Sequence, residues 1–465
     1  MTMGVAGLRK LIHSALPANS FRARLASGAF WTLFGAFLFQ GINAIASFVT
    51  ARILGKTLYG EFGMVVNTLG TLGILAGTSL GSTANRYVAA HRSQDPARAG
   101  HILSLCFTAA ILCGLLMTGA VLWGADFLAS KILAAPELAH YLRVASPVLI
   151  LGAISGIQIG ALAGFEVFKK TAQYRGISAT IGATITIIAT IKLGLVGAVV
   201  GLVANSAADA VLCCILFART SASHGVRWLG ASPWVELPVL WEYAIPSLLS
   251  GVLAGPVMWA AAAIFVHQPG GYGELGVFNA AGQWRTLIVF IPSAVGTSLL
   301  PVLANLYTAG DVRRIIRALK AHIILSAVTS LCIAIPLIAA GRWIMASYGK
   351  DYASGWPALT FLAVAAVLQC LNNVIGQALA SCARMWTGFL LNGLWAVEIL
   401  VATIFLKHYG AVGLAIAYMV SYLLHTIQVG AAVKWLLKKV APSDDQVRSM
   451  PSVENSDGAT AAVNW

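Results

Sequence analysis

The chain has 465 residues, 58% of them hydrophobic and only 10% charged, with a formal net charge of +14. Soluble domains carry about 25% charged residues, and the mean hydropathy of +0.82 points away from them as well. These values exclude a soluble enzyme, a disordered chain and a disulfide scaffold. Long apolar runs rather than short alternating ones also argue against a transmembrane β-barrel. An all-α polytopic membrane protein remains.

Residues 1–27 are mixed and basic, with Arg9, Lys10, Arg22 and Arg24. They hold no apolar core of signal-peptide length, so no cleaved signal is expected. Twelve apolar runs follow, each near the ~20 residues that cross a bilayer. They cover 28–50, 62–82, 101–123, 141–163, 174–193, 195–217, 242–266, 277–301, 319–341, 357–381, 386–406 and 410–437. The expected organisation is a six-helix bundle over 28–217, a cytoplasmic linker over 218–241, a second six-helix bundle over 242–437, and a disordered cytoplasmic tail over 438–465. The seven cysteines are odd in number, lie in apolar runs and form no CxxC pair. They read as apolar packing residues rather than as metal ligands or disulfides.

Sorting the 30 Lys and Arg by alternate loops places 21 on the face that holds both ends of the chain and 8 on the other, with Arg285 inside a span. This bias places both termini in the cytoplasm. It accounts for the net charge without nucleic acid, and a basic inner face suits anionic lipids.

The chain also echoes itself. Tyr59-Gly60-Glu61-Phe62-Gly63-Met64 returns as Tyr272-Gly273-Glu274-Leu275-Gly276-Val277, and Gly194-Leu195-Val196-Gly197-Ala198 returns as Gly410-Ala411-Val412-Gly413-Leu414. The offsets, 213 and 216, are nearly equal, and both echoes fall at equivalent places in the run order. Two parallel repeats of six helices are implied, with substrate between them. In each Tyr-Gly-Glu, the glycine reads as a turn residue with positive φ and the glutamate as favouring the next helix N-terminus.

These residues resemble the polysaccharide transporter branch of the MOP flippase superfamily, the O-antigen and exopolysaccharide flippases. The resemblance rests on the basic N-terminus leading into Phe30-Trp31, Leu54-Gly55, Tyr59-Gly60-Glu61-Phe62-Gly63, and the stretch Gly194 to Gly201. It implies two six-helix bundles in a V, alternating access, and translocation of undecaprenyl-pyrophosphate-linked oligosaccharide to the outer leaflet of the bacterial inner membrane. The partners it implies are that lipid-linked oligosaccharide, membrane lipids, and the polymerase and chain-length proteins of a polysaccharide pathway. Lipid II flippases of the superfamily have fourteen helices. Many of its multidrug exporters carry an acidic residue in the first helix, whereas Gly28 to Thr50 has none.

No catalytic constellation, P-loop or metal-binding pattern occurs, so neither enzymatic activity nor a cofactor is expected, and H⁺ or Na⁺ coupling is one energy source. Intramembrane charges are functional candidates by default. Arg285 offers bidentate donors to a pyrophosphate or a sugar acid; alternatively it snorkels or bonds interhelical carbonyls. Gln283 and Asn279 lie on the same stretch, and Gln40, Asn43, Asn372 and Asn373 add amides suited to sugar hydroxyls. Single amides also serve as glue between helices. Arg52 is either an interfacial anchor or part of the cavity lining. Glu398 is a candidate ion site, a counter-ion of Arg285, or an interhelical hydrogen bond. Asp209 and His425 occupy equivalent places in the repeats, so they are either a proton-coupling pair or separate contacts within each bundle. The basic stretches 86–92 and 313–317 read as amphipathic surface helices, with Asp95-Pro96 and Asp311 starting the helices that follow. Besides a flippase, two functions stay open: an ion-coupled multidrug exporter, and a non-transporting membrane scaffold of polysaccharide assembly.

Overall fold

The structure is a computed structural model that describes residues 21–78, 80–245, 253–296, 312–381 and 385–440. Arg9, Lys10, Cys382, Asp311 and the polar tail from residue 441 lie outside the described residues. Every regular element among those described is helical. In the first half of the chain these are α1 (Phe21–Gly73), α2 (Leu80–His91), α3 (Pro96–Phe127), α4 (Leu138–Ala145), α5 (Pro147–Gly164) and α6 (Phe168–Ser223). In the second half they are α7 (Ala254–Val266), α8 (Gly271–Gly296), α9 (Val312–Ala339), α10 (Gly341–Tyr348), α11 (Trp356–Ser381), α12 (Met385–Leu406) and α13 (Gly410–Val440).

Seven helical stretches among the described residues are long and apolar enough to cross a membrane. Three of them, of 51, 56 and 48 residues, far exceed the ~20 residues one crossing takes. Each contains a glycine in a conformation that L-residues avoid: Gly55 (φ 72°, ψ 172°), Gly194 (φ 58°, ψ −131°) and Gly410 (φ 61°, ψ −148°). The expected runs 1 and 2, 5 and 6, and 11 and 12 therefore fall on the two limbs of a bent helical stretch.

Gly194 and Gly410, which echo each other in sequence, share almost one backbone conformation. Three residues on, a Cβ on Gly197 would lie 1.9 Å from the Ala189 carbonyl oxygen, and one on Gly413 would lie 1.9 Å from that of Leu406. The Gly-x-x-Gly spacing thus solves one local problem twice. The first glycine turns the chain, and the second lets the returning limb touch the backbone it has left. Alanine at position 194 is expected to cost about 1–3 kcal/mol, read as a lower thermal unfolding temperature of the purified protein.

Asp95 accepts a hydrogen bond from the Arg98 amide at 2.9 Å and Pro96 takes the first helical position, so this pair starts α3 as expected. On α2, Leu80, Ala84 and Val88 are buried while Arg86 is exposed. The expected linker is not free chain. Val226 and Val239 are buried, and Trp228 packs against Phe107 and Phe217 with ring centroids 4.7 and 5.5 Å apart.

The buried apolar residues divide in a way that sets the shape. The largest cluster joins both halves of the chain near the bends, combining Ala51, Leu54 and Tyr59 with Phe265, Leu275, Tyr352 and Leu414. Away from the bends, each remaining cluster belongs to one half, one in the first and three in the second. Leu80, Ile102, Phe107 and Phe217 belong to that of the first half, and Ile315, Leu319, Val374 and Ala378 form one of those in the second. Among the described residues, the one buried cluster that both halves share lies at the bend end.

Candidate substrate cavity

α8 and the second limb of α1 form the main bridge between the halves. They descend together from the bend end, with Gly60 against Gly276 and Gly63 against Asn279. A Cβ on Gly60 would lie 1.8 Å from the Tyr272 carbonyl oxygen, and one on Gly276 would lie 1.8 Å from that of Lys56. Neither Gly60 nor Gly273 has positive φ; that role falls to Gly55 and Gly270. This corrects the turn expected at the repeated Tyr-Gly-Glu. Gly60, Gly63 and Gly276 are small so that two helices can meet. Glu274 lies in the first turn of α8, as expected for an acid at a helix N-terminus, and also reaches beyond its own helix. It accepts the Ala411 amide at 2.9 Å, at the start of α13, and lies 4.0 Å from Lys56 across the seam.

Further contacts close this end. Tyr272 donates its hydroxyl to the Leu133 carbonyl at 2.7 Å, and Tyr352 donates to that of Ala51 at 3.1 Å. Burial, reinforced by Glu61 and Glu137, holds the Tyr272 phenol above its usual range, so it remains a donor.

Beneath the closed end lies a cavity of about 470 Å³ between α1, α7, α8 and α13. Arg285, Gln283 and Asn279 all line it. Arg285 is half-buried, donates to the Gln369 amide oxygen at 2.6 Å, and sits 5.6 Å from the centre of the Tyr418 ring. Among the described residues, no carboxylate pairs with it and no acidic residue lines the cavity. Gln283 donates to the Ser47 hydroxyl at 2.8 Å, and Ser47 lies 2.7 Å from the Tyr59 hydroxyl, a cross-half network at the cavity wall. The Asn279 amide nitrogen is buried without a hydrogen-bond partner. Phe62, Trp259 and Phe278 supply apolar faces, and Trp259 is fixed by donating to Thr68 at 2.9 Å.

The other proposed contact residues lie elsewhere. Asn43 spends its amide within the first half, donating to the Phe39 carbonyl at 2.8 Å and accepting from Asn205 at 3.2 Å. Gln40 is half-buried one turn earlier on that helix and does not line the cavity. Asn372 is buried and donates to the Tyr422 carbonyl at 3.2 Å, so it ties α11 to α13. Asn373, about 100° further round the helix, is exposed and outside the cavity lining. Arg52 is exposed near the Gly55 bend and does not line the cavity either.

Glu398 is bonded to the Gln428 amide nitrogen and does not reach Arg285, so the counter-ion expectation fails. Its Oε2 is buried without a partner, as is Nδ1 of His425, whose ring centroid is 6.5 Å from that of Trp395. Asp209 accepts from Ser178 at 2.9 Å and lies 3.7 Å from Arg175, whose guanidinium is 4.0 Å from the centre of the Phe39 ring. Asp209 and His425 thus belong to separate contacts, one in each half. Asp209→Asn should leave a largely buried guanidinium unpaired and cost about 2 kcal/mol, less than a fully buried pair. Transport per folded molecule should be unchanged. Normal thermal stability with lost transport would instead give Asp209 a coupling role.

Reasoning from sequence missed Asn67, Trp259 and Tyr418 in the cavity lining. Asn67 had a signal: it follows Tyr59-Gly60-Glu61 by about the interval that separates Asn279 from Tyr272-Gly273-Glu274. The two aromatic residues had none beyond membership of an apolar run.

Residues 25–307 match the family described as polysaccharide biosynthesis protein. The EPS I polysaccharide export inner membrane protein EpsE of Ralstonia nicotianae is 26% identical over 396 residues, covering 82% of this chain and 87% of that protein. Among solved structures, the inward-facing conformation of a multidrug resistance MATE family transporter of the MOP superfamily superposes with a TM-score of 0.71 at 17% identity, covering 86% of this chain and 96% of that one. The lipid II flippase MurJ in its inward closed conformation gives 0.69 at 15% identity, covering 88% and 89%. Identities this low show a shared fold and leave the substrate to the cavity's chemistry.

Proposed function

We infer, from a chain that belongs to the polysaccharide biosynthesis protein family, that it flips undecaprenyl-pyrophosphate-linked oligosaccharide across the inner membrane. The observation that carries this reading is Arg285, a guanidinium in the cavity wall with no carboxylate partner among the described residues. Such a cavity attracts an anion, and its fixed fork matches phosphate oxygens. The Gln283–Ser47–Tyr59 network offers donors and acceptors to sugar hydroxyls. An exporter of cationic drugs would be served by an acid in the cavity, and none lines it among the described residues.

We take the chain as twelve spans in two six-helix bundles with both termini cytoplasmic. The bends at Gly55, Gly194 and Gly410, the core shared at one end only and the excess of basic residues on one set of loops support this arrangement. The cavity then opens to the cytoplasm, where the lipid-linked unit would enter, and delivery outward requires the Gly60–Gly276 seam to part. Polymerase and chain-length proteins would act on the delivered units.

Glu398, with an unpartnered carboxylate oxygen beside Gln428 and with His425 nearby on α13, is our candidate proton- or Na⁺-carrying group. Glu398→Gln is expected to slow transport about tenfold and remove its dependence on the ion gradient, with substrate binding kept within about twofold. A variant that keeps gradient dependence would dismiss Glu398 from coupling. The reading itself is tested by ligand-dependent thermal stabilisation of the purified protein. The pyrophosphate-linked oligosaccharide should bind about tenfold tighter than a cationic dye; preference for the dye would reverse it.

A further inference from the structure

The segment that connects the two halves carries a surface the proposed transport cycle does not use. Residues 226–241 are bound to the first half along their length. The Arg227 carbonyl oxygen lies so close to Gly100 that a Cβ there would be 2.3 Å from it. Ser104 donates to the Ala231 carbonyl at 2.8 Å, and the His101 ring nitrogen lies 2.9 Å from the Ser232 carbonyl. Arg98 holds Glu236 through two bonds of 2.8 and 3.3 Å. Trp228, Val226 and Val239 face inward.

Leu240 also packs against the core of the first half, and the other large apolar side chains of the segment face out. Leu229 is 76% exposed, Trp234 64%, Val235 64% and Trp241 73%. With Leu237, 38% exposed, these make five exposed apolar residues, two of them Trp, and on a base this tightly bonded they are not the product of a loose loop. Arg219 and Arg227 are exposed beside them, and Arg86 is exposed with its guanidinium 4.6 Å from the centre of the Tyr243 ring. Glu236 is neutralised by Arg98, which leaves Glu242 and Asp95 as the acids to set against these guanidiniums. The segment follows directly on α6, so it sits at the membrane level where a spanning limb ends.

Amphipathic aromatic rings partition to the headgroup level, and neighbouring cations draw anionic lipid there. We propose that residues 226–241 are a membrane-surface anchor that binds anionic phospholipid and is rigidly mounted on the first half. Trp234, Val235 and Trp241 enter the boundary between headgroups and acyl chains, and Arg219 and Arg227 meet phosphate. The first half is thereby held level in the bilayer while the second moves against it.

The test uses the full chain in nanodiscs of mixed zwitterionic and anionic phospholipid. A benzophenone amino acid replaces Trp234 or Trp241 in separate variants, and adducts are identified by mass spectrometry after illumination. Leu116, 66% exposed on the apolar α3, is the lipid-facing control, and Ser93, exposed in the polar turn after α2, is the aqueous one. Lipid adducts at 234 and 241 should come within about twofold of those at 116 and exceed those at 93 about tenfold. Arg227→Glu should lower the anionic share of the adducts about threefold. Yields at 234 and 241 no higher than at 93, or adducts to a second copy of the chain, would overturn the proposal. An anionic share unmoved by Arg227→Glu would overturn its headgroup preference.

Discussion

Arg285→Ala is expected to lower transport of lipid-linked oligosaccharide by about ten- to a hundredfold while the protein reaches the membrane at its normal level. Hydrogen bonds to a charged group contribute about 1.5–3 kcal/mol, which sets that range. Folding should not suffer, because the partners left behind are neutral: the Gln369 amide, the Tyr418 ring and the Tyr422 hydroxyl. Arg285→Lys separates charge from geometry. It keeps the cation but loses the planar fork, so its activity should fall between wild type and alanine. Transport into inverted vesicles, normalised to immunoblotted protein, makes the measurement. Equal activity of alanine and wild type would remove Arg285 from the substrate path.

Leucine at Gly60 or Gly276 should be as damaging, for a mechanical reason. The first side-chain carbon alone would sit 1.8 Å from a backbone oxygen of the facing helix, and backbone cannot step aside as a side chain does. The bend end could then no longer close. Each half retains its other contacts, so the expected product is a folded protein held open at that end, with transport reduced about tenfold or more. A cysteine at Ser47, in the cavity wall, should become reactive to a membrane-impermeant maleimide added from that side. Gly41→Leu is the control, since nothing lies within 4 Å of a Cβ there. Normal closure and transport in Gly60→Leu would show that the two helices do not meet during the cycle.

These two predictions also mark what could be read without a structure. Arg285 was legible because a charge inside an apolar run is costly wherever the helix faces. The echo of Gly194 in Gly410 was legible as a repeat, whereas its positive φ was not read there but expected at the Tyr-Gly-Glu glycines. Gly60 was misread because its role belongs to a partner more than two hundred residues away, which no local pattern encodes. The amides divided for a similar reason. Asn43 and Asn67 are both amides on α1, and only packing decides that Asn43 meets Asn205 while Asn67 meets the cavity. The Arg175–Asp209 pair was missed because Arg175 was counted among the basic loop residues, and only the fold back at Gly194 brings it to Asp209. Composition marked the described apolar stretches as helical, whereas the bends within them were not visible in hydropathy.

The most direct test of the flippase reading is transport by the purified chain in proteoliposomes. An undecaprenyl-pyrophosphate oligosaccharide is placed in one leaflet and its arrival in the other is scored, with a cationic dye followed in parallel. The predicted result is oligosaccharide movement that fails in Arg285→Ala and no dye movement. Dye transport with a static oligosaccharide would contradict the flippase reading and favour a drug exporter.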